Sequence, residues 1–129
     1  MKYKFLTVVT NDVTRLGNFY KAVLHAELKG FDNDVYVELF IEDFVFCVES
    51  IHSVEKRAGA KFSSFTAGSS IYEFIVDNVD EEYARLKEIG VKPFGGPYDT
   101  PWGTRGFYFN DPDGNMACFY SEIGVANNT

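Results

Sequence analysis

The spacing of apolar residues changes twice along the chain in the same way. The β-rich run Phe5 to Val9 gives way to the polar pair Asn11-Asp12, after which Val13, Leu16, Tyr20 and Val23 follow the three-to-four-residue spacing of an amphipathic helix. The order recurs from Ile71. The run Ile71 to Val76 leads into Asp77-Asn78, and Val79, Tyr83, Leu86 and Ile89 make a second apolar stripe. Glu81 stands three residues after Asn78, as in a capping box, and Gly90 stops the helix. Three strand-like stretches follow each helix: Ala26 to Phe31, Val35 to Ile41 and Phe44 to Glu49 in the first half, Val91 to Phe94, Arg105 to Asn110 and Met116 to Glu122 in the second. The pattern predicts an α+β chain of two tandem βαβββ modules, about 1–52 and 69–126. The stretch 53–68 has no apolar period and reads as a linker or flap.

Composition then narrows what such a chain can do. Its 129 residues suit a single domain, and 13 Phe, 8 Tyr and 1 Trp exclude a disordered or low-complexity chain. A net charge of −7 repels phosphate backbones and anionic membrane surfaces, so neither nucleic acid nor membrane is an expected partner. Two cysteines, Cys47 and Cys118, are too few for a disulfide framework, and the apolar start breaks at Asn11, too early for a signal-peptide core. The expectation is a cytoplasmic protein.

Three segments, PWGTRGFYFNDPDGNMACFYSE (Pro101 to Glu122), DVTRLGNFYKAVL (Asp12 to Leu24) and FIVDNVDEEYARL (Phe74 to Leu86), resemble the vicinal oxygen chelate superfamily of glyoxalase I, extradiol dioxygenases, fosfomycin resistance enzymes and bleomycin resistance proteins. The likeness spans nearly the whole chain, and Pro-Trp-Gly before the penultimate strand is similar to the bleomycin resistance branch. The resemblance implies curled mixed sheets forming a cleft, helices on the outer face, and a homodimer.

Strand alternation sorts residues between helix side and cleft side. With Leu6, Val8, Phe46, Val48, Tyr72, Phe74, Val76, Ala117 and Phe119 beneath the helices, the cleft side receives Phe5, Thr7, Val9, Val45, Cys47, Glu49, Ile71, Glu73, Ile75, Met116, Cys118, Tyr120 and Glu122. The metal-binding members that the resemblance implies hold a divalent ion on His, Gln or Glu from the first and last strands of each module. The corresponding positions here carry Phe5, Ile71, Cys118 and, roughly, Cys47. A phenyl ring and a sec-butyl group have no lone pair, and two thiolates alone do not hold a first-row metal. His25 and His52 lack the spacing of a relocated site. No metal and no other cofactor is expected.

The candidate ligand-binding set is therefore Phe5, Cys47, Ile71, Glu73, Tyr98, Trp102, Cys118, Tyr120 and Glu122. Glu73 must be paired, with Arg105 or Lys92, neutralised, or reserved for a cation. Tyr98 and Trp102 are expected on a Gly- and Pro-rich loop, where Trp102 stacks on a planar ligand or packs against a second subunit. Cys47 and Cys118 form a redox pair or fill the core. Asp111 to Asn115 reads as a structural turn. The expected function is metal-free binding of a planar or cationic small molecule, an antibiotic drug among the possibilities, by sequestration. The alternatives are a metal-dependent or proton-transfer enzyme, a lyase, isomerase or dioxygenase, or a cleft closed by its own aromatic residues.

Overall fold

Both cap sequences start helices through their side chains. Asp12 accepts a hydrogen bond from the Arg15 amide at 3.1 Å and Asn78 accepts one from the Glu81 amide at 3.0 Å, satisfying N–H groups the first helical turn leaves open. The computed structural model describes residues 5–32, 34–53 and 71–124. In chain order the elements are β1 (Phe5–Thr10), α1 (Val13–Leu24), β2 (Glu27–Asp32), β3 (Tyr36–Ile41), β4 (Phe44–Ser50), β5 (Ile71–Ile75), α2 (Val79–Glu88), β6 (Phe94–Asp99), β7 (Thr104–Asn110) and β8 (Met116–Glu122).

The order βαβββ occurs twice, and the chain separates into two compact units, Met1–Gly68 and Ser69–Thr129. Each unit has an open four-stranded mixed sheet, ordered β1-β4-β3-β2 in the first and β5-β8-β7-β6 in the second. The first and last strands of each unit pair in parallel, and the other pairs are antiparallel. The proposed linker falls almost wholly on residues 54–70, outside those described.

In the first unit Val13, Leu16, Tyr20 and Val23 of α1 are buried, and α1 packs on β2, β3 and β4. The Tyr20 ring lies 4.7 Å from Phe46, centroid to centroid. In the second unit Val79 and Leu86 are the buried face of α2, which packs on β6, β7 and β8. Phe107, Phe109 and Phe119 meet edge-on or tilted beneath it, and Tyr83 adds an edge contact to Phe107 at 5.2 Å. Burying each such ring contributes about 1.5–3 kcal/mol, so this cluster dominates the second core.

The turn before β8 is held by one carboxylate. Asp111, 5% exposed, accepts hydrogen bonds from the amides of Asp113 and Asn115, both at 2.9 Å, and from the Asn115 side-chain amide at 2.8 Å, while Gly114 takes φ 84°. All three bonds close on the turn itself, which accounts for the Asp-Pro-Asp-Gly-Asn sequence.

One strand is displaced from its expected place. Val91 to Pro93 is irregular, and β6 instead covers Phe94–Asp99, including Gly95, Gly96 and Pro97. Phe94 pairs with Tyr108 and Tyr98 with Gly106, so four steps on β6 match two on β7. Gly95 at φ 60° and Pro97 sit in the resulting bulge on an edge strand, the setting in which a sheet tolerates both. The Tyr83 hydroxyl donates to the Gly95 carbonyl at 2.8 Å and ties the bulge to α2.

Candidate functional site

The site originates in a missing side chain. On the face of the second sheet opposite α2, Ile75, Tyr120, Gly106 and Tyr98 lie in one cross-strand row from β5 to β6. Gly106 places no atoms between the two tyrosines. A Cβ there would stand 2.8 Å from the Phe119 carbonyl oxygen and 3.1 Å from the Tyr120 Cβ, so the close approach of β7 to β8 admits only glycine without a shift. The gap becomes a pocket of about 110 Å³ lined by Glu73, Tyr98, Thr100, Trp102, Thr104, Gly106, Tyr108, Cys118 and Tyr120.

The next row supplies polar chemistry, with Glu73 facing Cys118 across the parallel pair and Cys118 facing Tyr108 across the antiparallel one. Cys118 is a buried free thiol whose pKa is pushed up to about 11, first by burial and then by the negative charge of Glu73, with hydrogen bonding by Tyr108 pulling the other way. The Tyr108 hydroxyl is raised above the usual phenol range, chiefly by hydrogen bonding with Tyr98 and then by burial. Those two rings stack, with centroids 6.3 Å apart and planes at 22°.

The rim is a braced turn. The Thr100 amide donates to the Thr104 carbonyl at 2.7 Å, the Thr104 amide donates to the Thr100 hydroxyl at 3.1 Å, and the two hydroxyls are 2.7 Å apart. Gly103 adopts φ 97°, and its carbonyl accepts from the Ile123 amide at 2.9 Å. Trp102 stands on this turn with 71% of its surface exposed.

Glu73 takes neither of its expected partners. Arg105 has the opposite strand parity and binds Asp80 of α2 at 2.7 Å and Asp99 of β6 at 2.9 Å, while Lys92 lies in a separate depression with Tyr83 and Lys87. Among the described residues, no hydrogen bond or ion pair engages the Glu73 carboxylate. That separate depression, about 530 Å³ and bordered by two lysines, suits an anion better than a cation.

Of the nine candidate residues, Glu73, Tyr98, Trp102, Cys118 and Tyr120 line the pocket. Tyr98 does so from a strand rather than from the expected loop, because the bulge absorbs the glycines ahead of it. Ile71 and Glu122 lie at the ends of β5 and β8, outside the lining, and Phe5 and Cys47 belong to the first unit. Thr100, Thr104, Gly106 and Tyr108 also line it and were not anticipated. The alternation Thr104, Gly106, Tyr108 against Arg105, Phe107, Phe109 carries the signal for three of them.

Two βαβββ units, each with its helix on one face of an open mixed sheet, define the glyoxalase/bleomycin resistance class of α+β fold. The chain belongs to the Glyoxalase/Bleomycin resistance protein/Dioxygenase superfamily, whose sequence model matches residues 2–119. It is 29% identical over 136 residues to the uncharacterized protein YraH of Bacillus subtilis (strain 168), covering 95% of this chain and 100% of that one. A bleomycin resistance protein of Geobacillus stearothermophilus is 34% identical over 61 residues, 46% of either chain. The crystal structure of a glyoxalase/bleomycin resistance protein/dioxygenase from Nocardioides superposes with a TM-score of 0.81 over 100% of this chain and 89% of that chain, at 18% identity, a likeness of fold.

The donor set at the family's metal positions does not fit a metal. Phe5 and Ile71 are exposed hydrocarbon side chains, and the thiols of Cys47 and Cys118 are both raised, chiefly by burial, which disfavours the thiolate a metal requires. Among the described residues no three His, Cys, Asp or Glu side chains gather closely enough to hold an ion. No helix among them is long and apolar enough to cross a membrane.

Proposed function

We propose that this protein binds a small organic cation, or the cationic end of a planar drug, in the pocket about Gly106, and sequesters it without a metal and without chemistry. One observation carries the reading: the Glu73 carboxylate, without a hydrogen-bond or ion-pair partner among the described residues, shares a pocket with Tyr98, Trp102, Tyr108 and Tyr120. Aromatic faces attract cations by about 0.5–2 kcal/mol each, and a carboxylate in the same pocket supplies a full opposite charge. A volume of about 110 Å³ suits a compact ammonium group better than an entire drug. The partial likeness to a bleomycin resistance protein supports a drug as one source of such a group. A homodimer belongs to the same proposal, supported by Ile71 and Ile75, which are 44% and 63% exposed on β5 and are suited to cover by a second subunit. A cytoplasmic location belongs to it too, supported by the free thiols of Cys47 and Cys118.

The test compares choline with its uncharged isostere 3,3-dimethyl-1-butanol by titration of Trp102 fluorescence. Choline should bind more tightly, and Glu73→Gln should weaken choline about tenfold while leaving the alcohol unchanged. Equal affinities for both probes, or equal losses in the variant, would overturn the reading.

A further inference from the structure

The duplication gives the first unit cross-strand positions equivalent to those of this pocket. In the second sheet Cys118 faces Glu73 and Tyr108, and two residues further along β8 Tyr120 faces Gly106. In the first sheet Cys47 faces Thr7 and Glu38, and two residues further along β4 Glu49 faces Tyr36. Tyr36 thus occupies the position of Gly106. Both rows put a buried thiol between a carboxylate and a hydroxyl, in mirrored order: Thr7, Cys47, Glu38 in one and Glu73, Cys118, Tyr108 in the other.

The two carboxylates differ in what engages them. The Tyr36 hydroxyl donates to Glu38 at 2.9 Å and lies 3.2 Å from the Cys47 sulfur, so a phenol fills the place the glycine leaves open and hydrogen-bonds the carboxylate beside it. Val37 and Leu39 point the other way and are buried on the side of α1, which fixes Tyr36 and Glu38 on the face equivalent to the pocket. Glu73 has no such internal donor among the described residues.

We propose that the first unit carries a latent cation site held shut by Tyr36, so that Tyr36 limits each chain to a single bound cation. This inference rests on the binding reading for the second unit.

Choline titrated into isotope-labelled protein, followed by amide NMR, tests it. In the wild type, shifts should gather around Gly106 and leave the amides of Tyr36, Glu38 and Cys47 unmoved. Tyr36→Ala should add a second, saturable set of shifts around Glu38 and Cys47, and adding Glu38→Gln should remove that set alone. Tyr36→Phe, which keeps the ring, should stay closed. Tyr36→Thr retains strand propensity and serves where the alanine variant does not fold. A folded Tyr36→Ala or Tyr36→Thr protein with no shifts in the first unit overturns the inference, as does a wild type that shifts in both units. A wild type without shifts around Gly106 overturns the binding reading instead, an outcome read without any Tyr36 variant.

Discussion

Glu73 and Cys118 face each other across the parallel β5–β8 pair, and the carboxylate's charge adds to burial in holding the thiol proton until about pH 11. The ordinary thiol value is 9.0, so between 9 and about 11 the unfolded chain releases a proton that the folded chain keeps. Fewer protons bound in the unfolded state mean that stability falls as pH rises through this window, by at most about 1.4 kcal/mol per pH unit for one group. Below pH 9 this contribution is present in full. Denaturant melts of wild type and Cys118→Ala should therefore converge between pH 9 and 10.5. Curves that remain parallel would show that the thiol is not perturbed.

Gly106 couples the pocket to the sheet. Gly106→Ala should cost about 1–3 kcal/mol of stability, because the new methyl meets the Phe119 carbonyl at 2.8 Å and backbone cannot yield as a side-chain tip does. The same methyl points between Tyr98 and Tyr120, so choline affinity should fall at least tenfold in protein that remains folded. A variant with full stability and full affinity would remove Gly106 from the site.

Asp111 belongs to the turn and not to any ligand. Asp111→Ala strips three hydrogen bonds from the turn ahead of β8 and leaves their donors without this partner, for an expected loss of about 2–4 kcal/mol by denaturant unfolding. Choline affinity of the folded fraction should be unchanged. A stable variant that loses affinity would reverse the assignment.

The proposed subunit association rests on exposed hydrocarbon. Sedimentation at tens of micromolar should give twice the chain mass, and Ile75→Lys should halve it, since a charge on a residue 63% exposed costs the free chain little. A wild-type monomer at that concentration ends the proposal.

The fold was legible because its signals are local. Asp12 and Asn78 mark the helix starts, and alternation separates Phe74 and Phe119 from Glu73 and Cys118, all within a few residues of sequence. The pocket was legible only in part because it depends on register. That Gly106 falls between Tyr98 and Tyr120 follows from a bulge that matches four residues of β6 to two of β7, and no local rule sets that count. The same register determines Arg105. Its place opposite Asp99 carries it to the helix side, to Asp80 and away from Glu73.

Trp102 separates ligand binding from association most cleanly, because it is the sole tryptophan and stands 71% exposed on a turn braced by Thr100 and Thr104. A side chain that buries so little contributes little to folding, so Trp102→Ala should change stability by less than about 0.5 kcal/mol. If the indole closes over a bound ammonium, wild-type emission should be quenched by choline, and the variant should bind about two- to fivefold more weakly, the worth of one cation–π contact at an exposed site. Packing against a second subunit predicts the reverse: emission already shifted to the blue before any ligand, indifference to choline, and a melting temperature of the variant that falls and loses its dependence on protein concentration. The brace provides the control. Thr100→Val keeps Trp102 and puts a methyl in place of the hydroxyl that braces the turn and borders the pocket, so it should weaken choline binding with the Trp102 emission maximum unchanged. If affinity survives both substitutions, the rim has no part in binding, and the site reduces to Glu73 with Tyr98, Tyr108 and Tyr120.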